Sequence, residues 1–169
     1  MNTPNMISSY SFQDIIRISN GEYFGPEAGK LPLPGMLMID RITTITDSGG
    51  KYGKGQIVAE LDINPDLWFF KCHFKDDPVM PGSLGFDGML QLTGLFLNHL
   101  GFKGKGRALG CDSIKFFGEV LPIHKIVKYI IDIKRIINLK MKMIISDGYL
   151  LVDDKQIYTC EGMKVGLIT

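Results

Sequence analysis

The stretch that decides the fold leads from a histidine into a helix, and it runs His73-Phe74-Lys75-Asp76-Asp77-Pro78-Val79-Met80-Pro81-Gly82-Ser83-Leu84-Gly85-Phe86-Asp87. Apolar side chains follow on nearly every side of that helix, which indicates that it is buried. Pro81 and Gly82 mark its entry, Ser83 is predicted to be the N-cap, and Gly101 is predicted to lie just past its end. Asp87 falls about one turn inside the helix, where burying a carboxylate is costly.

Three groups in this stretch have the chemistry of an acid–base site. The first-turn amides, including that of Gly82, point free N–H groups at a spot where the helix dipole favours negative charge. The enolate-like charge of a thioester carbonyl would be stabilised there. His73 is the residue type that exchanges a proton near neutral pH. Asp87 could serve as an acid if desolvation outweighs the helix dipole, and the sequence leaves that open.

Each of these residues also has a purely structural interpretation. A histidine beside aromatic residues is often a hydrogen-bonded core residue, and an aspartate near a helix start is often a cap. The aromatic segment 68–70 either fills the core or lines a ligand pocket, and the sequence does not decide between the two. Single residues therefore do not identify the site.

Composition narrows the possible classes of protein. The chain has 169 residues, 45% of them hydrophobic, and a formal net charge of +1. We expect a single domain over residues 1–169, with neither nucleic acid nor a membrane as a partner. Three cysteines without a CxxC pair favour a reducing cytoplasm and argue against a structural metal site. No signal-peptide pattern is present in residues 1–9.

The N-terminal part is predicted to hold a short helix, an irregular segment and a hairpin. Ser11 and Asp14 have the spacing of a capping box, and the helix should end before Gly21. Residues 1–35 are thus a helix followed by a proline- and glycine-rich segment. Two strands, 36–45 and 55–63, are predicted around the glycine turn at 48–50.

Four strands are predicted after the central helix: 107–117, 126–137, one starting at Leu139, and 157–168. The third of these strands contains two possible turn positions, one at Gly148 and one at 153–155. We place the turn at 153–155 and interpret Gly148 as a bulge. Two strands, a helix without a polar face and four antiparallel strands predict an α+β fold. One sheet can bury such a helix only by curling around it.

Several motifs resemble bacterial 3-hydroxydecanoyl-acyl-carrier-protein dehydratases, and together they cover nearly the whole chain after the first ten residues. They are Trp68-Phe69-Phe70, Cys72-His73-Phe74, Asp77-Pro78-Val79-Met80-Pro81-Gly82, Leu84-Gly85, Asp87, Met36-Leu37-Met38-Ile39-Asp40-Arg41, Gly104-Lys105-Gly106-Arg107-Ala108-Leu109-Gly110 and Lys164-Val165-Gly166-Leu167.

This resemblance implies a hot-dog fold, in which a curled antiparallel sheet wraps a central helix. It implies a homodimer whose sites are shared, with His73 from one subunit and Asp87 from the other. The Gly82 amide would hold the thioester carbonyl, and the Val79 carbonyl would orient the imidazole. The implied reactions are dehydration of a (3R)-3-hydroxyacyl thioester of about ten carbons to the trans-2-enoyl form and isomerisation to the cis-3-enoyl form. No cofactor is implied.

The chain also departs from the family pattern. Ser83 stands where cysteine is common, and Gly88 and Leu90 replace a larger pair. We expect dehydration to survive, and the smaller pair predicts tolerance of longer acyl chains. The resemblance assigns the landing patch for the acidic acyl carrier protein to Arg135, Lys140 and Lys164.

Other functions remain open at this level. A dehydratase of general chain elongation would not isomerise its product. In that group, glutamate is usual at the position of Asp87, so this chain resembles it less well. A thioesterase on the same fold would need a water molecule at the carbonyl. A non-enzymatic acyl-binding subunit would need neither base nor acid, so His73, Gly82 and Asp87 argue against it.

Overall fold

The computed structural model describes residues 7–168; the predicted lack of a signal peptide therefore falls largely on residues outside the described range. Residues 7–168 form two helices and seven strands in the order α1 (Phe12–Asn20), β1 (Arg41–Thr46), β2 (Gln56–Asp62), α2 (Gly82–His99), β3 (Lys105–Gly110), β4 (Ser113–Phe116), β5 (Ile126–Asn138), β6 (Lys142–Val152) and β7 (Lys155–Ile168). A 3₁₀ turn at Trp68–Lys71 precedes α2. The strands make one antiparallel sheet in the order β1-β2-β5-β6-β7-β3, and β4 also pairs with β7.

The sheet curls around α2. This helix contacts β2, β5, β6, β7 and β3, which are consecutive neighbours in the sheet. A helix is about 10 Å wide, whereas five strands spaced about 4.8 Å apart span about 19 Å. A flat sheet of that width could not touch one helix with every strand. The expected α+β architecture, with a sheet wrapped around a buried apolar helix, is confirmed.

α1 forms as its capping box predicts. The Ser11 side chain accepts from the Asp14 amide at 3.3 Å, and the Asp14 carboxylate accepts from the Ser11 amide at 2.9 Å. Gly21 ends the helix with φ of 80°. The helix buries Ile15 and Ile18 against the core.

The first strand is shorter than predicted. We expected it over 36–45, but β1 begins only at Arg41. The side chain of Gln91 on α2 donates to the Met36 carbonyl at 2.8 Å and accepts from the Met38 amide at 3.1 Å. These backbone groups are therefore bound to the helix and do not join a strand ladder.

The predicted N-cap of α2 is wrong. Pro81 occupies the N-cap position, the helix begins at Gly82, and no side chain caps it. Proline has no side-chain acceptor, so the first-turn amides of the helix are left without a side-chain cap. Ser83 lies in the first turn and is exposed. The predicted end is confirmed, because Gly101 lies just past the end of the helix and itself has φ of +86°.

The strand predicted over 107–117 is two strands. β3 and β4 pair with successive parts of β7, 164–168 and 158–161, and residues 111–112 interrupt them. By register, these two residues lie opposite 162–163, and Gly162 has φ of +64°. A left-handed residue breaks the regular ladder at that point. The helix is consequently followed by five strands, one more than predicted.

The long β5–β6–β7 meander is close to its prediction. The turn lies at Asp153 and Asp154, both with positive φ, as placed from sequence. β6 starts at Lys142, later than the expected Leu139. The register between β6 and β7 shifts beside Gly148, but the additional residue is on β7. A bulge is therefore present at the predicted place in the sheet, but it lies on β7 and not on the strand that contains Gly148.

Aromatic residues before α2 divide between core and surface. Phe69 and Phe70 are buried. Trp68 is half-exposed, and its indole N–H donates to the Gly35 carbonyl at 2.7 Å. Core filling therefore accounts for two of the three.

Glycines at every third position let aromatic rings pack directly onto α2. A Cβ at Gly82 would lie 3.2 Å from the ring of Phe116. At Gly85 the corresponding distance to Tyr158 is 2.6 Å, and at Gly88 the distance to the Tyr129 hydroxyl is 2.6 Å. The space that Gly88 was expected to leave for an acyl chain is thus filled by Tyr129, and that expectation is wrong.

A buried asparagine ties the irregular segment to α2. Asn98 is 6% exposed, its amide donates to the Gly29 carbonyl at 2.9 Å, and its oxygen accepts from the Gly29 amide at 3.2 Å. The pair satisfies both backbone groups of a residue that belongs to no strand or helix.

We predict that Asn98→Ala lowers the free energy of unfolding by about 1–3 kcal/mol, because it leaves buried backbone groups of Gly29 unpaired. Urea unfolding would measure the loss. Asn138→Ala, at an exposed position ending β5, should change it by no more than about 0.5 kcal/mol. Equal losses in the two variants would contradict the proposed anchor.

Candidate active site

His73 is held in a tight turn by its own backbone and ring. Its amide donates to the Phe69 carbonyl at 3.0 Å, and its carbonyl accepts from the Val79 amide at 2.8 Å. Its Nδ1 lies 3.0 Å from the Val79 carbonyl oxygen. The ring of Phe74 lies beside the imidazole, with the ring centroids 3.9 Å apart.

The Val79 contact determines which ring nitrogen is available for chemistry. A carbonyl oxygen only accepts hydrogen bonds, so the neutral imidazole must carry its proton on Nδ1. The lone pair is then on Nε2, which is the atom able to take a proton from a substrate. The contact that the family resemblance implies between His73 and Val79 is present, and its catalytic role stays a prediction.

The first turn of α2 offers unpaired amides close in sequence to this turn. The first N–H groups of a helix have no carbonyl one turn earlier. Within residues 7–168, the Gly82 and Ser83 amides find no other acceptor. The half-exposed ring of Phe116 lies against Gly82. This helix start can bind an oxygen carrying negative charge beside an apolar surface.

Asp87 lies one turn further along α2 and is oriented by Gln91. The Gln91 amide donates to Asp87 Oδ2 at 2.6 Å, and the same side chain makes the contacts to Met36 and Met38. Because Gln91 is held at Met36 and Met38, its amide orients the Asp87 carboxylate. Asp87 itself is half-buried, less enclosed than a residue inside an apolar helix was expected to be.

A groove of about 180 Å³ runs from Asp87 along α2. Its helix side is formed by residues one turn apart, and apolar side chains of β7 and of segment 29–32 form much of the rest. The residues that line the groove include Asp87, Leu90, Gln91, Gly94, Asn98 and Arg107. Asp87 and Gln91 make one end of the groove polar, Leu90, Gly94 and Leu95 follow along the helix, and Asn98 and Arg107 add polar groups further on.

His73 and Asp87 are not joined within the described chain. Over residues 7–168 no hydrogen bond links them, and His73 does not line the groove that begins at Asp87. The structure thus brings His73 to Val79, and Asp87 to Gln91, as two separate halves.

The predicted carrier-protein residues lie at one end of the sheet. Arg135 and Lys164 each pair with Ile145 from opposite sides, so all three side chains share one face. Lys140 is exposed in the hairpin between β5 and β6. Lys164 forms an ion pair with Asp112, which reduces the positive charge that it presents.

Sequence reasoning missed Gln91 and assigned no role to Arg107. Gln91 stands one turn after Asp87 in an otherwise apolar helix, and that spacing could have indicated a hydrogen bond between them. The position of Arg107 on the groove follows only from how β3 folds against α2, so it had no comparable signal.

Two further findings concern the described part of the chain. No group of three His, Cys, Asp or Glu side chains there is placed to hold a metal ion. Neither of its helices is long and apolar enough to cross a membrane.

Known proteins match this chain in both sequence and fold. Residues 31–161 match the sequence model of the FabA-like domain family. The dehydratase heterocomplex ApeI:P from Xenorhabdus doucetiae is 10% identical, with a TM-score of 0.59 over 81% of this chain and 86% of that chain. A hypothetical thioesterase with coenzyme A from Streptococcus pneumoniae TIGR4 is 12% identical, with a TM-score of 0.54 over 75% of this chain and 84% of that chain. At these identities the structural likeness shows the fold alone, and the expected hot-dog fold is confirmed.

We predict that ¹⁵N NMR will find neutral His73 with its proton on Nδ1. His124 is an internal control, because its Nδ1 accepts from the Leu121 amide at 2.9 Å and its proton must lie on Nε2. Opposite tautomers for the two histidines are therefore expected in one spectrum. An Nε2-protonated His73 would show that the Val79 contact does not orient the ring.

Proposed function

Because the chain belongs to the FabA-like domain family, we propose that it dehydrates 3-hydroxyacyl thioesters to trans-2-enoyl thioesters and isomerises these to the cis-3-enoyl form. The observation that carries this proposal is the contact between His73 and Val79, which leaves Nε2 free as a base beside a helix start with unpaired amides. Base and oxyanion site are the two groups needed to remove a proton next to a thioester carbonyl.

The proposed dehydration uses each half of the site once. Nε2 of His73 removes the C2 proton while the Gly82 amide stabilises the charge that develops on the carbonyl oxygen. Asp87 donates a proton to the C3 hydroxyl, which leaves as water, and the C2–C3 double bond forms. In the isomerisation, His73 removes a C4 proton and a proton returns to C2. Gln91 keeps the Asp87 carboxyl in place through this sequence.

A homodimer would bring His73 of one chain close to Asp87 of the other. β3 lies at the edge of the sheet, and all six of its residues are exposed. An unpaired edge strand with an exposed Leu109 is a template for pairing with a second copy. We propose that two chains associate along β3, so that His73 of each chain approaches the groove at Asp87 of the other.

The carrier-protein surface is proposed to be the sheet face at Arg135 and Lys164, with Lys140 at its margin. An acyl carrier protein is acidic, so clustered cations would steer it to this face. The ion pair between Lys164 and Asp112 makes the patch weaker than three free cations. Exposed Leu139 and Met141 flank Lys140 and offer apolar contact at the same hairpin.

The reaction is tested by incubating the protein with a 3-hydroxydecanoyl thioester and identifying the products by mass and double-bond position. We expect loss of water with the thioester intact, and His73→Asn should lower the rate by about 10²- to 10⁴-fold. Release of free thiol would indicate a thioesterase instead. A trans-2 product alone would indicate a dehydratase without isomerase activity.

The shared site is tested by mixing two inactive variants, His73→Asn and Asp87→Asn. Half of the re-annealed dimers are mixed and each has one intact site, so about a quarter of wild-type activity should return. Each variant re-annealed with itself is the control. Continued inactivity in samples that demonstrably contain heterodimers would show that the site is not shared.

The groove also supports the expected tolerance of long acyl chains. From Asp87 to Asn98 the helix rises about 16 Å at 1.5 Å per residue. Seven methylenes of a ten-carbon substrate reach only about 9 Å when extended, given carbon–carbon bonds of about 1.5 Å. The room for longer chains therefore comes from the length of the groove past Gly94, and Gly88 contributes nothing to it.

We predict that Leu90→Trp shifts the preference to short chains, because its indole fills the groove near Asp87. If two methylenes can no longer be buried, the loss of about 0.8 kcal/mol for each should lower kcat/KM for a ten-carbon thioester about tenfold. Turnover of a four-carbon thioester should be unchanged. Leu100→Trp, at the C-cap of the same helix and outside the groove, is the matched control. Chain-length profiles of wild type and Leu90→Trp that superimpose would exclude Leu90 from the tunnel.

A further inference from the structure

Two of the three cysteines lie in contact, at a place the proposed reaction does not use. Cys111 follows β3, Cys160 is in β7, and their sulfur atoms are 3.3 Å apart as free thiols. They are 49 positions apart in the chain, so the fold alone brings them together. Cys72, by contrast, is exposed and outside this pair.

We propose that Cys111 and Cys160 form a reversible oxidation site that a hydroperoxide converts to a disulfide. A disulfide bond is about 2.05 Å long, so the two sulfurs need to approach each other by only about 1.2 Å. Closure of this bond would join the end of the β3 edge strand to the centre of β7.

The geometry assigns the movement to Cys111. This residue lies in the two-residue interruption between β3 and β4, directly after Gly110 with its φ of +153°. Cys160 is fixed inside the sheet, where it pairs with Gly148 on one side and Ile114 on the other. A short shift of the interrupted segment therefore brings the sulfurs together without breaking the ladder around Cys160.

Burial assigns the order of the two steps. Cys111 is half-buried and can be reached by a small oxidant, whereas Cys160 has no exposed surface. Burial, together with the hydrogen bond that the Cys160 thiol shares with Cys111, also raises the pKa of the Cys160 thiol, so it is a poor first nucleophile. Cys111 is accordingly the residue that meets the peroxide.

The chemistry balances with one peroxide per pair. The Cys111 sulfur attacks a peroxide oxygen, the S–O bond forms, the O–O bond breaks, and with hydrogen peroxide one water leaves. The Cys160 sulfur then attacks the Cys111 sulfur, the S–O bond of the sulfenic acid breaks, and a second water leaves. Two thiols are oxidised by two electrons in total, and hydrogen peroxide is reduced to two waters. A thiol reductant reverses the change.

The test treats the reduced full-length protein with hydrogen peroxide in slight excess, blocks the remaining thiols with an alkylating reagent, and maps the peptides by mass. We expect the peptides that contain Cys111 and Cys160 to be joined with loss of two hydrogens, while Cys72 is alkylated. Dithiothreitol should restore three alkylated cysteines. Oxidation of Cys111 to a sulfinic acid without a joined peptide, or joining through Cys72, would overturn the proposal.

Three variants separate the steps. Cys72→Ser should form the disulfide like the wild type and serves as the matched control. Cys160→Ala should stop at the Cys111 sulfenic acid, which dimedone traps, and Cys111→Ser should leave Cys160 unmodified. Oxidation of Cys160 at the wild-type rate in the Cys111→Ser variant would refute the assigned order, and the wild-type peptide map decides the proposal even if a core variant fails to fold.

Discussion

The structure depends on the need to cover α2 on almost every side. A helix with this few polar residues is unstable in water unless other elements remove its surface from solvent. Five neighbouring strands do so by curling around it. Close approach is possible because Gly82, Gly85 and Gly88 leave room for the rings of Phe116, Tyr158 and Tyr129. The glycines therefore matter here for missing side chains more than for backbone freedom.

The polar residues of α2 hold the chain segments that surround the helix. Gln91 binds the backbone at 36–38, Asn98 binds Gly29, and the Thr93 hydroxyl lies 2.9 Å from that of Ser146 on β6. Each of these three buried side chains on α2 is thus paired, as burial requires. Gln91 has a second effect, because the side chain that binds residues 36–38 also donates a hydrogen bond to the Asp87 carboxylate. Folding and site geometry share one side chain there.

Local signals in the sequence predicted the elements that depend on local interactions. The capping box at Ser11 and the turn at 153–155 need only neighbouring residues, and both were predicted correctly. The errors arose where a distant residue decides the outcome. β1 is shortened by Gln91, and the strand after α2 is interrupted opposite Gly162. Neither partner can be identified without the fold.

The candidate site shows the same division. His73, Val79, Gly82 and Asp87 were found because they lie in one short stretch with a recognisable motif. The groove was not predicted, because separate parts of the chain form it: α2, segment 29–32, β3 and β7. Gly88 was misinterpreted for the same reason, because a missing side chain makes a cavity only if nothing else fills the space. The side chain of Tyr129, on β5, fills the space beside Gly88.

Packing of the glycine face also decides which side of α2 is open to a substrate. At 3.6 residues per turn, positions 82, 85 and 88 lie on the opposite face of the helix from 87, 90, 91, 94 and 98. Rings from β4, β5 and β7 close the glycine face, and Tyr129 is so enclosed that its hydroxyl has no partner in the described part of the chain. Burial raises the pKa of that hydroxyl, which keeps it neutral. In the proposed reaction, an acyl chain entering at Asp87 would run along the other face, past Leu90 and Gly94, where the groove lies.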